Sequence, residues 1–302
     1  MSRRTKAILI GLFVTFLWST SWVFIRIGLH EIPAILFAGL RYFIAFAILF
    51  SILLLKYGLK IITTFTRAEW ISMFALGILF YAVAQGGQYV GLALLPTMTV
   101  SLLLNLTPVI VALLGIASLK EFPSFMQWLG IIINAVGILL YFYPVSIFSG
   151  SMLGLVIVVI AMLANAIGTI IGRKVNRDGR LPVLVVTTIS MGIGAIILLT
   201  LGILQDGLPI VSPVNWIYLI WMAAINTALG FSLWNLILKD LSAAEASIIN
   251  GTMMIQIAAI AWIILHETLT STQIAGMALS GVGVILVQIK LDTHRIKKTR
   301  VL

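Results

Sequence analysis

Apolar residues fall in ten blocks along the chain, separated by short polar gaps: 7–29, 33–55, 70–92, 98–118, 124–143, 152–172, 182–204, 214–236, 243–265 and 272–289. A helix that crosses a bilayer needs roughly 20 mostly apolar residues, so each block predicts one transmembrane span. The gaps leave no room for an inserted soluble domain. The first block follows Arg3, Arg4 and Lys6 and so looks like a signal peptide. It is too long for one and lacks a small-residue cleavage site, so it is read as a helix of the mature protein.

Composition agrees with the pattern. Hydrophobic residues make up 61% of the chain and charged residues 9%, against about 25% charged in an ordinary soluble domain. A soluble enzyme is excluded. With no cysteine, a disulfide framework, a thiolate metal site and a cysteine nucleophile are excluded too. The net charge of +10 would suggest nucleic acid if it were spread evenly, but it is not. Of the nineteen Lys and Arg residues, seventeen lie before the first span, in the gaps that ten spans place on that same side, or in the 290–302 tail. The gaps on the other side hold Glu31, Asp206 and Glu267 and no basic residue. Basic loops face the cytoplasm, which predicts a plasma-membrane protein with both termini cytoplasmic. The basic tail then meets anionic lipid or sets topology; no nucleic-acid partner is expected.

The chain repeats itself at an offset of 146. Leu119-Lys120-Glu121 matches Leu265-His266-Glu267, Gln127 matches Gln273, Trp70 matches Trp216, and Gly130 and Gly137 match Gly276 and Gly283. The halves are 7–143 and 152–289, five spans each. An odd number of spans inverts the second half relative to the first. The fold expected is an all-α integral membrane protein of ten transmembrane helices in two inverted five-helix repeats. Inverted repeats are typical of secondary transporters.

The motifs also resemble a family. Trp18-Ser19-Thr20-Ser21-Trp22-Val23, Leu40-Arg41-Tyr42, Leu106-Thr107-Pro108-Val109 and the duplicated Leu-x-Glu…Gln-x-x-Gly are similar to those of the drug/metabolite transporter superfamily, in its EamA-type branch. The resemblance covers nearly the whole chain. It implies an exporter or permease for small metabolites, often amino acids or drugs, with a central cavity between the halves. Met254 stands where the repeat mate of Pro108 would be, which sets spans 4 and 9 apart.

No catalytic constellation, metal cluster or cofactor motif is visible. His30, His266 and His294 fall in loops or the tail. Candidate solute-binding residues come from polar and aromatic groups within the spans. Asn105-Leu106-Thr107-Pro108 in span 4 and Asn250-Gly251-Thr252 in span 9 are weak helix at matching places in the two halves, which either marks the solute path or glues helices together. Arg41 sits about eight residues inside span 2, roughly 12 Å deep, as a clamp for a carboxylate or as a structural arginine satisfied by carbonyls. Gln85-Gly86-Gly87-Gln88 in span 3 is either a cavity-facing irregularity or a close packing point. Trp18, Ser21 and Trp22 share one helix face; with Tyr81, Gln85, Tyr89 and Asn235 they complete an aromatic and amide-rich set suited to a neutral or zwitterionic, partly apolar solute. Glu245, at the start of span 9, is read as a helix cap.

The function expected is alternating-access movement of a small metabolite, an amino acid or similar amphipathic solute, with export as the direction and uptake or multidrug export as alternatives. No acidic residue maps to mid-span, so proton coupling through a midplane carboxylate is not expected.

Overall fold

The computed structural model describes residues 2–143, 151–264 and 269–288, and these are helical apart from turns and short connections. Nine helices among them are long and apolar enough to cross a membrane: Arg3–Gly28, Ala34–Tyr57, Arg67–Leu94, Thr99–Leu119, Met152–Asp178, Val183–Asp206, Pro213–Ile237, Ala243–Ile260 and Ser271–Gln288. The shorter apolar helix Phe125–Tyr141 lies between the fourth and fifth of these. Together they are spans 1 to 10, and the chain is a multi-pass membrane protein. The segment 144–150, the residues Leu265, His266 and Glu267 and the tail 290–302 with His294 lie outside the described residues.

Local chemistry sets the helix starts. Ser124 caps span 5 and Gln127 reaches back to its backbone N–H; Thr270 and Gln273 do the same for span 10. The repeated glutamine is therefore half of a capping box. Ser242 and Glu245 form another at the start of span 9, so Glu245 caps as expected.

The inversion is written into the packing. Spans 5 and 10 meet along their glycines: a side chain at Gly130 would strike the Gly283 carbonyl at 2.6 Å, and one at Gly137 the Ser280 backbone N at 2.5 Å and the Gly276 carbonyl at 2.8 Å. Each glycine packs on the mate of the other, as two inverted copies of one helix must about a pseudo-two-fold axis. Residues on that axis touch their own mates. Asn134 donates to the Ser280 hydroxyl at 2.7 Å across the offset of 146, and the Phe46 ring fills the space that a side chain at Gly192 would take. Spans 2 and 7 are mates of each other and also pack closely, with Leu199 backbone against Gly39 and Leu36 backbone against Gly202.

Two pairs of irregularities obey the same offset. Spans 4 and 9 each break for a single residue, at Leu106 between Thr97–Asn105 and Thr107–Leu119, and at Thr252 between Ala243–Gly251 and Met253–Ile264. Leu106 donates to Leu103 and Thr252 to Ile249, three residues back instead of four. Spans 3 and 8 each carry a π-helical stretch, Gly77–Val83 and Met222–Leu229. Such bulges free backbone groups and recur at functional sites.

Candidate solute cavity

The four irregular spans surround a central cavity of about 90 Å³. By a measure in which one water needs about 10–15 Å³, that is room for a small solute. Spans 1, 2 and 6 complete the wall.

Of the residues expected to bind solute, the cavity brings together Trp18, Ser21, Trp22, Arg41, Gln85, Tyr89, Asn105, Thr107 and Asn250. It leaves aside Tyr81, Pro108, Asn235 and Thr252. Pro108 is buried in the first turn of the segment after the break in span 4. Thr252 is the break residue of span 9, bonded to the Ile249 carbonyl at 2.6 Å and to Thr15 at 3.2 Å. Tyr81 and Asn235 belong to a separate buried network.

Arg41 is the single charged side chain among the described residues that line the cavity. Its surroundings are neutral. Nε donates to the Thr227 hydroxyl at 2.7 Å, Nη1 to the Tyr89 hydroxyl at 3.0 Å and Nη2 to the Ser21 hydroxyl at 3.3 Å. Its guanidinium carbon lies 5.9 Å from the Tyr42 ring centre. Hydroxyls and a ring solvate the cation without cancelling its charge. In a low-dielectric setting the group therefore attracts an anion.

The second π stretch holds the wall around Arg41 in place. Asn226, fully buried, donates through Nδ2 to the Leu17 carbonyl and the Ser21 hydroxyl, both at 2.6 Å, and its backbone carbonyl accepts from Trp18 Nε1 at 2.7 Å. Thr227, next in line, receives Arg41. Two consecutive residues thus fix Trp18, Ser21 and Arg41. Sequence reasoning passed over Asn226 and Thr227. Their signal was a polar pair in mid-span, but nothing in the pattern of residues foretold the π stretch that aims both inward.

Part of the cavity wall is aromatic. The Trp18 ring lies 4.8 Å from Phe231 and 5.1 Å from Trp234 between centres. The rest of the polar lining is neutral: Ser101, Asn105, Asn165, Ser247 and Asn250. Asn105 spends its amide hydrogens on Ser101, which leaves its carbonyl oxygen to accept, and Asn250 Oδ1 is buried with no partner. In span 3, Gln85 and Gln88 face the cavity while Gly86 and Gly87 pack against Leu198 and Ala161. The expected irregularity is not in the run itself, which is regular helix within Ala84–Leu94; it is the π stretch Gly77–Val83 just before it.

One face of the molecule is cross-linked beneath the cavity. Glu121 pairs with Arg173 at 2.9 Å and accepts from the backbone N–H of Ala243 at 3.0 Å, at the start of span 9. Arg173 also donates to the carbonyls of Leu238 and Lys239. Arg4 pairs with Glu245 at 2.6 Å and donates to the Gln288 carbonyl at 2.8 Å, so residues near both ends of the chain share this basic face.

The chain has relatives in sequence and in fold. The model of the EamA-like transporter family matches the chain twice, over residues 5–143 and 152–289. The uncharacterized transporter YoaV of Bacillus subtilis is 25% identical, over 90% of this chain and 93% of its own. A protein of Salmonella typhimurium named as a probable amino-acid metabolite efflux pump is also 25% identical, over 92% and 93%. One crystal structure superposes with a TM-score of 0.77 at 16% identity, covering 93% of this chain and 97% of the other, which is a likeness of fold.

Proposed function

The chain belongs to the EamA-like transporter family, and from that premise we propose that it moves a small amphipathic metabolite of the amino-acid class outward across the plasma membrane by alternating access. The observation that carries the reading is the cavity itself. It sits where two inverted halves meet, lined by one guanidinium, aromatic rings and neutral amides. Arg41 takes the solute's carboxylate, for which a guanidinium offers paired donors. Trp18, Phe231 and Trp234 hold its apolar body. Asn105 and Asn250 accept from its neutral or cationic nitrogen. The relative named as an amino-acid metabolite efflux pump supports the solute class and the direction.

The basic face is the cytoplasmic one in this reading, because seventeen of nineteen basic residues lie there. The halves 7–143 and 152–289 rock against each other about the cavity. Liposomes containing the protein and loaded with labelled amino acids should release them faster than protein-free liposomes, with competition by unlabelled solute. Failure across amino acids and their N-acyl and keto-acid derivatives refutes the reading. Orientation is tested separately: a cysteine at Ser146 should react with an impermeant maleimide in intact cells, and one at the exposed Arg180 should not.

A further inference from the structure

The polar cluster around Arg41 has a twin. Arg41, Tyr81 and Tyr89 have Thr187, Thr227 and Asn235 as their mates at the offset of 146. In the first cluster Arg41 bonds to Thr227 and Tyr89. In the second, the mates of those three residues bond to one another: Asn235 Nδ2 donates to Thr187 at 3.0 Å and to the Tyr81 hydroxyl at 3.4 Å. Asn235 Oδ1 in turn accepts from Asn176 at 2.9 Å. The two clusters are one arrangement used twice, upside down. The first borders the cavity through Arg41 and Tyr89, whereas none of Tyr81, Thr187 and Asn235 does, each being at most 5% exposed. Buried polar groups within spans are costly and point to function or to a specific partner.

We propose that Tyr81, Thr187 and Asn235 form a second solute subsite, assembled when the cavity opens to the basic face. It rests on the alternating-access reading above. Inverted halves interchange their conformations as access alternates. The state open to the basic face is then the present arrangement with the halves exchanged, and the cluster at the cavity wall becomes the twin. A phenol, a hydroxyl and a carboxamide line it, without charge. It takes the neutral hydrogen-bonding end of a solute, an amide or a hydroxyl, where its counterpart takes a carboxylate. Glu121, through Arg173 and the Ala243 backbone N–H, ties span 6 to the start of span 9 on the basic face, and in this proposal those contacts are what must part for that side to open.

The natural lack of cysteine makes single reporters clean, and in lipid nanodiscs both faces are reachable. Thr187→Cys should react slowly with a small charged thiosulfonate. It should react roughly tenfold faster when Glu121→Gln frees the basic face. Ser21→Cys, beside Arg41, should slow in the same background. A Thr187→Cys rate that stays low while Ser21→Cys slows overturns the inference and leaves the transport reading standing. No change in either reporter refutes alternating access, and the inference falls with it. Tyr81→Phe keeps its ring and offers a second route. Its KM should rise about fivefold, the effect of one lost hydrogen bond, for solute entering from the basic face only. Equal effects from both faces overturn the inference.

Discussion

Asn226 offers the sharpest test of how the cavity is held. Asn226→Leu keeps the side-chain size and removes both ends of the amide. The amide has two hydrogens, and three acceptors lie within reach: the Leu17 carbonyl and Ser21 hydroxyl at 2.6 Å and the Thr20 hydroxyl at 3.1 Å. Two bonds are therefore lost. Interhelical hydrogen bonds in membranes average about 0.6 kcal/mol. The Leu17 carbonyl keeps a bond from Thr20 at 2.7 Å, and Ser21 keeps Arg41. Asn226 Oδ1 is buried without a partner, so its removal returns part of the loss. The net cost is about 1 kcal/mol, too small to unfold the protein. Its effect falls on Ser21 and through it on Arg41, so KM for a carboxylate solute should rise about fivefold, with kcat nearly unchanged. Trp18 stays anchored because its partner is the backbone carbonyl. The assay is concentration-dependent uptake into proteoliposomes, with thermal unfolding in detergent as the control. An unchanged KM would show that the Asn226 amide positions nothing at the site.

Four further outcomes follow from the same geometry. Arg41→Gln should raise KM for an amino acid far more than for the matching amine, since only the former offers a carboxylate; equal effects would make Arg41 structural. Gly283→Ala places a methyl group 2.5 Å from the Asn134 backbone N and should cost about 1–3 kcal/mol, read as lower yield and thermal stability without a change in solute preference. Glu31 accepts from the Ser212 backbone N–H at 2.9 Å, and bonds from Asn215 first and Ser212 second hold its carboxyl below the usual carboxylate range. Its stabilising contribution is then complete above that range and lost as pH falls through the lowered value, so Glu31→Gln should lower thermal stability at neutral pH and approach the parent in acid. No carboxylate is among the described residues lining the cavity, so a pH step at clamped potential should leave the transport rate of a net-neutral solute unchanged.

The fold was legible because the bilayer imposes one rule on every span. Apolar length gave the ten helices, and Glu, Gln, Trp and Gly at a fixed offset gave the duplication. The structure explains why those residues are the visible ones. Gln127 and Gln273 complete capping boxes, and Gly130, Gly137, Gly276 and Gly283 allow a close crossing on the pseudo-axis. The site was legible in part. Asn105 and Asn250 announced themselves as polar groups beside weak helix, and Arg41 as a charge at depth. Asn226 and Thr227 did not, because a π stretch has no residue signature and depends on the helices packed around it. Tyr81 and Asn235 look like cavity residues in sequence, and only the fold shows that they face each other instead.

The repeat also shows where the two halves differ. At the matching positions of the twin clusters, a guanidinium stands in one half and a threonine hydroxyl in the other. Two identical halves would give a carrier with the same affinity from either side. Replacing one node's charge with a hydroxyl breaks that equality for anionic solutes while leaving the hydrogen-bond frame intact. The frame is shared because both halves must pass through the same shapes. The charge is not shared, because a second buried guanidinium would be one more charge without a counter-ion at low dielectric, where its cost is high. Thr187→Arg places that second charge in the twin node. It should lower thermal stability, and the KM for a carboxylate solute entering from the basic face should fall toward the value for entry from the other face. An unchanged basic-face KM in a folded variant would show that position 187 does not meet the solute.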